Sequence, residues 1–316
     1  MDELVSIIVL SYRNGSLLYE TLDSIMSQDY SSIEVIVCDD ASPDFDKTII
    51  ESYLNNKKNG NIKNIYIHVN ENNLGTVKNL NIGITLAKGK YIKAIAGDDC
   101  YSNSDVISKQ VLYLNNNPND LLVVGDSVEC DDNMQQIIEK GFAYRNGDDL
   151  LSNHDSLLKY ICRVNQNALS TQAICFRNSY FEKYGLYDEN FVLIEDLPMA
   201  VRIVNEHVPF GYIHYSCIKH RGKVGVSTSN TALDPKRIVY YEDLEKYFRI
   251  CLFPKRKIIG VIYVTLRHKV SEFRVEYCRN YSSSKFKKIC LCFKYLIPLI
   301  YYAITKSRRV IFYLKK

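Results

Sequence analysis

The chain has 316 residues, 47% of them hydrophobic and 24% charged, and carries a formal net charge of +4. That is the composition of an ordinary globular protein, long enough to bury a sizeable core in one large or two smaller domains. Its ten cysteines, at positions 38, 100, 130, 162, 175, 217, 251, 278, 290 and 292, show no Cys-x-x-Cys pair and no His-rich ligand spacing. A disulfide frame and a zinc site are thereby excluded, and reduced thiols in the cytosol are expected.

Met1-Asp2-Glu3 lacks the basic start of an export signal, and the apolar run at residues 5–10 is too short for a signal core. That run predicts instead a first buried parallel strand. Leu17, Leu18, Leu22, Ile25 and Met26 then recur at helical spacing. A second strand at residues 33–38 ends on Asp39-Asp40-Ala41-Ser42-Pro43-Asp44, and a helix follows through Ile49, Ile50, Tyr53 and Leu54. Residues 65–69 read as a third strand, followed by a helix whose buried stripe is Val77, Leu80, Ile84 and Leu86.

The stretch Tyr91-Ile92-Lys93-Ala94-Ile95-Ala96-Gly97-Asp98-Asp99 is a short buried strand ending on two adjacent carboxylates. Open α/β sheets place their ligands at the carboxyl ends of such strands. Adjacent buried like charges need a cation or donors, and a divalent metal holding a nucleotide diphosphate would supply one. A solvated Gly-Asp-Asp turn capping the next helix is the other reading of these residues alone. Glycine-rich phosphate loops are missing: there is no G-x-G-x-x-G and no Walker lysine motif.

Farther along, a helix is predicted at residues 107–114, strands at 121–125 and 173–177, and a helix end at 180–185. Residues 131–153 are polar and weakly periodic, the pattern of a surface excursion. Glu195-Asp196 opens a helix with Arg202 two turns on, which alone also reads as acidic charge complementing a helix dipole. Helices at 237–248 and 257–279 precede a tail in which residues 279–316 hold ten Lys or Arg and no Asp or Glu. Residues 289–304 are apolar but interrupted by Lys294 and Pro298, short of the ~20 clean residues a spanning helix needs. A segment lying in the membrane interface or one packed on the body both fit. The apolar tail favours an anionic lipid surface over nucleic acid.

Residues 5–229 resemble the inverting family 2 glycosyltransferases of the GT-A fold. The resemblance runs through Ser11-Tyr12, the Asp39-Asp40 segment, Asn73-x-Gly75, Asn81-x-Gly83, Ala87-x-Gly89, Gly97-Asp98-Asp99, and Glu195-Asp196 followed by Arg202. It implies an α/β fold with a mostly parallel central sheet: a glycosyltransferase domain at 1–231 (nucleotide-sugar half 1–100, acceptor half 101–231) and a helical, basic, membrane-associating region at 232–316. By resemblance, Ser11, Tyr12, Asp39 and Asp40 would hold the uracil and ribose of a UDP-sugar. Asp98, flanked by Asp99, would ligate Mn²⁺ or Mg²⁺, and Asp196 beside Glu195 would be the catalytic base.

Four positions depart from the family pattern. Ala96 stands at the first acid of its D-x-D motif, and Leu10 replaces a common proline. Leu80 replaces an arginine, leaving Lys78 as the substitute cation. Ile218-Lys219-His220-Arg221-Gly222 replaces a Tyr-Arg-x-His stretch, so the diphosphate role falls to His220 or Arg221. The expected activity is β-linked transfer of a hexose from a UDP-sugar to a sugar on a polyprenyl diphosphate, in O-antigen or capsule repeat-unit synthesis. Its expected location is the inner face of the bacterial membrane. Diacylglycerol or protein acceptors, a nucleotidyltransferase, and an inactive UDP-binding module are the alternatives.

Overall fold

The computed structural model describes residues 2–140, 153–164, 169–222, 235–281 and 284–314. The chain forms two compact units, residues 1–145 with 167–224 and residues 146–166 with 225–316. The second unit therefore draws on a segment well before residue 232.

In the first unit the apolar runs form parallel strands: β1 (Val5–Ser11) lies between β2 (Ile33–Asp39) and β4 (Tyr91–Ala96), with β3 (Ile62–Val69) outside β2. All seven residues of β2 are buried, as strands covered on both faces require. Helices α1 (Leu17–Met26), α2 (Lys47–Lys57), α3 (Thr76–Leu86) and α4 (Val106–Asn116) follow in the expected alternation. Leu18, Leu22, Ile25 and Met26 form the buried stripe of α1. The two-residue strand β5 (Cys100–Tyr101) follows the Asp98-Asp99 turn.

The remaining strands turn the sheet mixed. β8 (Ile174–Arg177) runs antiparallel to both β4 and β6 (Leu122–Cys130), while β9 (Phe210–Arg221) runs parallel to β6 and pairs antiparallel with β5. Among the described residues the sheet order is β3-β2-β1-β4-β8-β6-β9-β5, with β7 (Ile137–Lys140) beside β6. β7 lies within the expected excursion at 131–153, of which 141–152 fall outside the described residues. β9 is not among the expected strands, although Ile213, Tyr215 and Cys217 alternate with Tyr212, His214 and Ser216 and face the core. Helices α5 (His154–Lys159), α6 (Asn178–Tyr184) and α7 (Asp196–Asn205) complete the central part of the chain, α5 belonging to the second unit.

The second unit is helical, with α8 (Pro235–Lys246), α9 (Val261–Arg279), α10 (Lys285–Lys294) and α11 (Leu296–Leu314). Gly260, at φ +123°, separates α9 from a helical turn at Arg256–Ile259, so the predicted helix at 257–279 begins later. The 289–304 segment bends by 69° at Tyr295. Tyr295 is buried and donates to Glu276 Oε1 at 2.8 Å, while Lys294 donates to the same oxygen at 2.7 Å, pinning the bend to α9. Pro298 sits in the first turn of α11, where its missing N–H is no loss. No single described helix is long and apolar enough to cross a membrane; the bent pair passes that test jointly. All ten cysteines are free.

Gly83 sets how closely α3 packs on the sheet, since a Cβ there would meet Ile8 Cγ2 at 2.4 Å and Cys38 Sγ at 3.2 Å. Gly83→Ala should therefore lower unfolding free energy by about 1–3 kcal/mol, the scale of core overpacking. Denaturant titration reads this, and an unchanged midpoint would mean that helix and sheet have slack.

Candidate active site

The carboxyl ends of β1, β2 and β4 open at one edge of the sheet. Ser11 Oγ donates to Asp39 Oδ1 at 2.9 Å, and Asp39 also accepts from the Ser42 amide and hydroxyl, both at 2.7 Å. Asp40 accepts from the backbone amides of Leu74 (2.7 Å) and Gly75 (2.9 Å) and from Asn70 Nδ2 (2.9 Å). Its carboxylate thus ties β2 to the loop entering α3. Tyr12 is half-buried beside Arg13, whose backbone at φ +57° turns the chain away from the sheet. A cleft of about 150 Å³ lies here, lined among others by Ser11, Arg13, Asn14, Ser42 and Phe45. Lys78 is exposed in the first turn of α3.

At the end of β4 the adjacent acids have different partners. Asp99 is buried and accepts from the Arg221 backbone amide at 2.8 Å and from Gln172 Nε2 at 2.9 Å, and its Oδ2 is 2.9 Å from His220 Nδ1. Asp98 is half-buried, and its side chain receives no hydrogen bond from another described residue. Burial and the charge of Asp99 push the Asp98 carboxyl up to about 6, against the opposing pull of its own amide, His220 and Arg221.

Arg221 is directed to the protein. Its guanidinium donates to the Asp98 carbonyl at 3.1 Å, to the Asp132 carbonyl and to Glu20 at 2.6 Å, and its side chain is 2% exposed. In the structure it clamps the Asp98-Asp99 turn and does not present a diphosphate-binding edge. His220 keeps its second ring nitrogen, and burial, which lowers its pKa, is outweighed by Asp99 and Asp98, so the net shift is upward. Gln172 went unnoticed in the sequence. Its Oε1 accepts from the Ala96 amide at 3.0 Å while its Nε2 holds Asp99, so one amide braces the strand end where Ala96 supplies no carboxylate. Glu20, which anchors Arg221, went equally unnoticed; neither carries a local signal, because their partners are distant in sequence.

The second acidic centre opens α7. Helix α3 holds the loop leading to it: Asn81 Oδ1 accepts from the Tyr187 amide at 3.0 Å, and Asn81 Nδ2 donates to the Tyr187 carbonyl at 2.9 Å. The Val77 amide donates to the Val192 carbonyl at 3.1 Å. Gly75, at φ +87°, lets the backbone pass Val192, where a Cβ would come within 2.4 Å. Arg202 donates to the carbonyls of Tyr184, Gly185 and Leu186, joining α7 to the end of α6. Burial and the neighbouring Asp196 raise Glu195 from 4.5 to about 8. Burial also raises Asp196, against pulls from the Leu197 amide and from His220. Both carboxyls are thus shifted toward their protonated forms, and the two titrate as one coupled pair.

A divalent cation fits the Asp98 carboxylate. It is a hard oxygen donor in a partly desolvated position, with the charges of His220 and Arg221 near it but directed to Asp99 and Glu20, and Mg²⁺-type ions are commonly held by one or two carboxylates plus substrate phosphates. No cluster of three His, Cys, Asp or Glu among the described residues forms an all-protein cage.

Residues 6–178 match the family model described as glycosyl transferase family 2. An uncharacterised glycosyltransferase of Rickettsia prowazekii is 28% identical over 241 residues, covering 76% of this chain and 70% of the relative. The Escherichia coli protein WfaP, a UDP-Glc:α-D-GlcNAc-diphosphoundecaprenol β-1,3-glucosyltransferase, is 36% identical over 112 residues, covering 35% of this chain and 41% of its own. The match thus spans less than half of WfaP. Among solved structures, TarS (residues 1–349) of S. aureus with UDP-GlcNAc aligns at TM-score 0.57 and 16% identity, covering 87% of this chain and 81% of the other. A mannosyltransferase from Pyrobaculum calidifontis with GDP-Man and Mn²⁺ aligns at TM-score 0.59 and 17% identity, covering 98% and 84%. At that identity the likeness is one of fold, the GT-A arrangement. With the family model spanning more than half its length, the chain belongs to glycosyltransferase family 2.

Proposed function

We propose that this glycosyltransferase is a metal-dependent inverting hexosyltransferase. It moves glucose or galactose from a UDP-sugar, in β linkage, onto a sugar carried by undecaprenyl diphosphate during O-antigen or capsule assembly. The observation that carries the reading is the placing of its acids at two centres: the Asp98 side chain receives no hydrogen bond from another described residue at the end of β4, and Glu195-Asp196 form a coupled pair, both raised by burial, at the start of α7. The UDP-GlcNAc held by TarS, the Mn²⁺ of the Pyrobaculum enzyme and the acceptor in WfaP's name support donor, ion and acceptor respectively.

Asp98 would hold the ion, which when bound supplies Lewis-acid neutralisation of charge on the departing diphosphate. Asp196 takes the proton from the acceptor hydroxyl as that oxygen attacks the anomeric carbon from the face opposite the leaving group. One displacement inverts the centre. Glu195, protonated, adds no second negative charge beside the base. Exposed Phe286, Ile289, Phe293, Leu296, Ile297 and Ile300 on α10 and α11, interleaved with lysines, support a peripheral position on an anionic inner membrane surface. A screen of UDP- and dTDP-sugars against a synthetic GlcNAc-diphosphate-lipid, with product mass detection, tests the reading. Absence of product from every donor would remove it.

Asp98→Ala should abolish turnover and metal-dependent UDP binding while leaving thermal unfolding nearly unchanged, measured by calorimetry with and without Mn²⁺. Full activity in the variant, or in the parent after chelation, would dismiss the metal role.

Asp196→Asn should retain donor binding and lose about 10²–10⁴ in kcat, the range of general-base catalysis. Glu195→Gln mimics the protonated form and should be milder. The reverse order would make Glu195 the base.

Stability should also report the pair. Between the ordinary carboxyl value and about 8, folded Glu195 holds a proton that the unfolded chain has lost, so stability falls as pH rises. Raised Asp196, Asp98 and His220 act with the same sign. The melting temperature should drop between about pH 5 and about pH 8.5, and less steeply in Glu195→Gln. Equal slopes would assign the pH sensitivity to other groups.

A further inference from the structure

Helix α9 carries most of its charges in pairs. Lys269 meets Glu272, His268 meets Glu245 and Glu272, Arg279 meets Glu242, and Glu276 meets Lys294. Arg267 and Arg274, two turns apart on one face, have no carboxylate partner among the described residues. Aromatic rings hold them instead. Both guanidinium groups lie over Tyr302 of α11, at 4.7 Å and 5.0 Å from its centroid, which keeps them within about 10 Å of each other. Arg267 also lies over Phe248 at 5.7 Å, and Arg274 over Tyr241 at 5.3 Å, with Arg274 donating to the Tyr302 hydroxyl at 2.9 Å. The Arg267 Nε is buried and has no hydrogen-bond partner. A buried N–H left unmade is costly and asks for an acceptor.

A guanidinium held over rings can still turn N–H groups to an anion, with the paired donors that match phosphate oxygens; Arg274 spends one of its five on the Tyr302 hydroxyl. We propose that Arg267 and Arg274 form a binding site for the phosphate or diphosphate group of a lipid. The same helical unit exposes the apolar side chains of α10 and α11, so the anion it meets is one borne on an acyl or polyprenyl chain. This deepens the lipid-linked acceptor reading and rests on it: the site would retain the enzyme on a membrane that carries phosphorylated lipid.

The test is binding of the full-length protein to vesicles, read by co-sedimentation without any turnover, so its outcome is separate from that of the donor screen. Three vesicle types are compared: neutral lipid alone, neutral lipid with phosphatidylglycerol, and neutral lipid with a polyprenyl diphosphate. The parent should prefer the phosphate-bearing vesicles, and the Arg267→Gln/Arg274→Gln double variant should lose about tenfold or more of that preference, the scale of a charge-assisted hydrogen bond. Its binding to neutral vesicles should stay the same. The Arg267→Lys/Arg274→Lys variant retains charge and stem, covers the case in which the glutamine variant fails to fold, and should also lose most of the preference, because an ammonium lacks the paired edge. Inorganic pyrophosphate, titrated into the parent, separates a lipid-borne anion from a free one. The proposal is overturned if the parent shows no preference, if both double variants keep it, or if pyrophosphate binding depends on the arginines while vesicle binding does not.

Discussion

The Asp99 carboxylate is the contact on which the site's arrangement depends. It gathers Gln172 from the segment before β8 and His220 and the Arg221 amide from β9, two regions separated from it by 73 to 122 residues. A buried charge is tolerated only where donors meet it, and here three do so. Their convergence has a second effect. With those donors committed to Asp99, and the Arg221 guanidinium turned to main-chain carbonyls and Glu20, the Asp98 side chain receives no hydrogen bond from another described residue. Two adjacent residues of one type thus have opposite surroundings.

Helix α3 organises the other half. Asn79 donates to the Cys38 carbonyl at 2.9 Å, tying the helix to β2, while Asn81 and the Val77 amide hold the loop that leads to Glu195 and Asp196. The small residue at Gly83 permits this helix to sit against β1 and β2. Position of the second acidic centre is therefore inherited from the packing of an element far from it in the chain.

The parallel half of the fold was legible because strands buried on both faces read as unbroken apolar runs. Lys93 shows the tolerance of that signal: it is fully buried in β4, its ammonium donating to Gln110 Oε1 at 2.6 Å and to the Ile174 carbonyl at 3.2 Å, and the strand forms around it. In β9 the polar His214 and Ser216 do alternate with Ile213, Tyr215 and Cys217, which face the core, but Cys217-Ile218 and Lys219-His220 end that alternation after a few residues, and β5 is only two residues long. At the site, adjacent acid pairs stood out as local motifs. Gln172 and Glu20 did not, since an amide or a helix-surface glutamate gains meaning only from a partner brought in by folding. The bend in the tail was likewise hidden: it falls at Tyr295, where Glu276 gathers both the tyrosine hydroxyl and the Lys294 ammonium, partners 18 and 19 residues away in sequence.

That 69° bend has a mechanical consequence for an interfacial placement. Two short helices at such an angle form a wedge, and a wedge lying at headgroup depth adds area to one leaflet without adding any to the other. The resulting area mismatch is relieved where the leaflet is convex or loosely packed, so adsorption becomes a function of membrane shape and lipid spacing as well as charge. An enzyme held this way would distribute itself over a membrane according to lateral tension, favouring regions in which bulky lipids have opened gaps between headgroups.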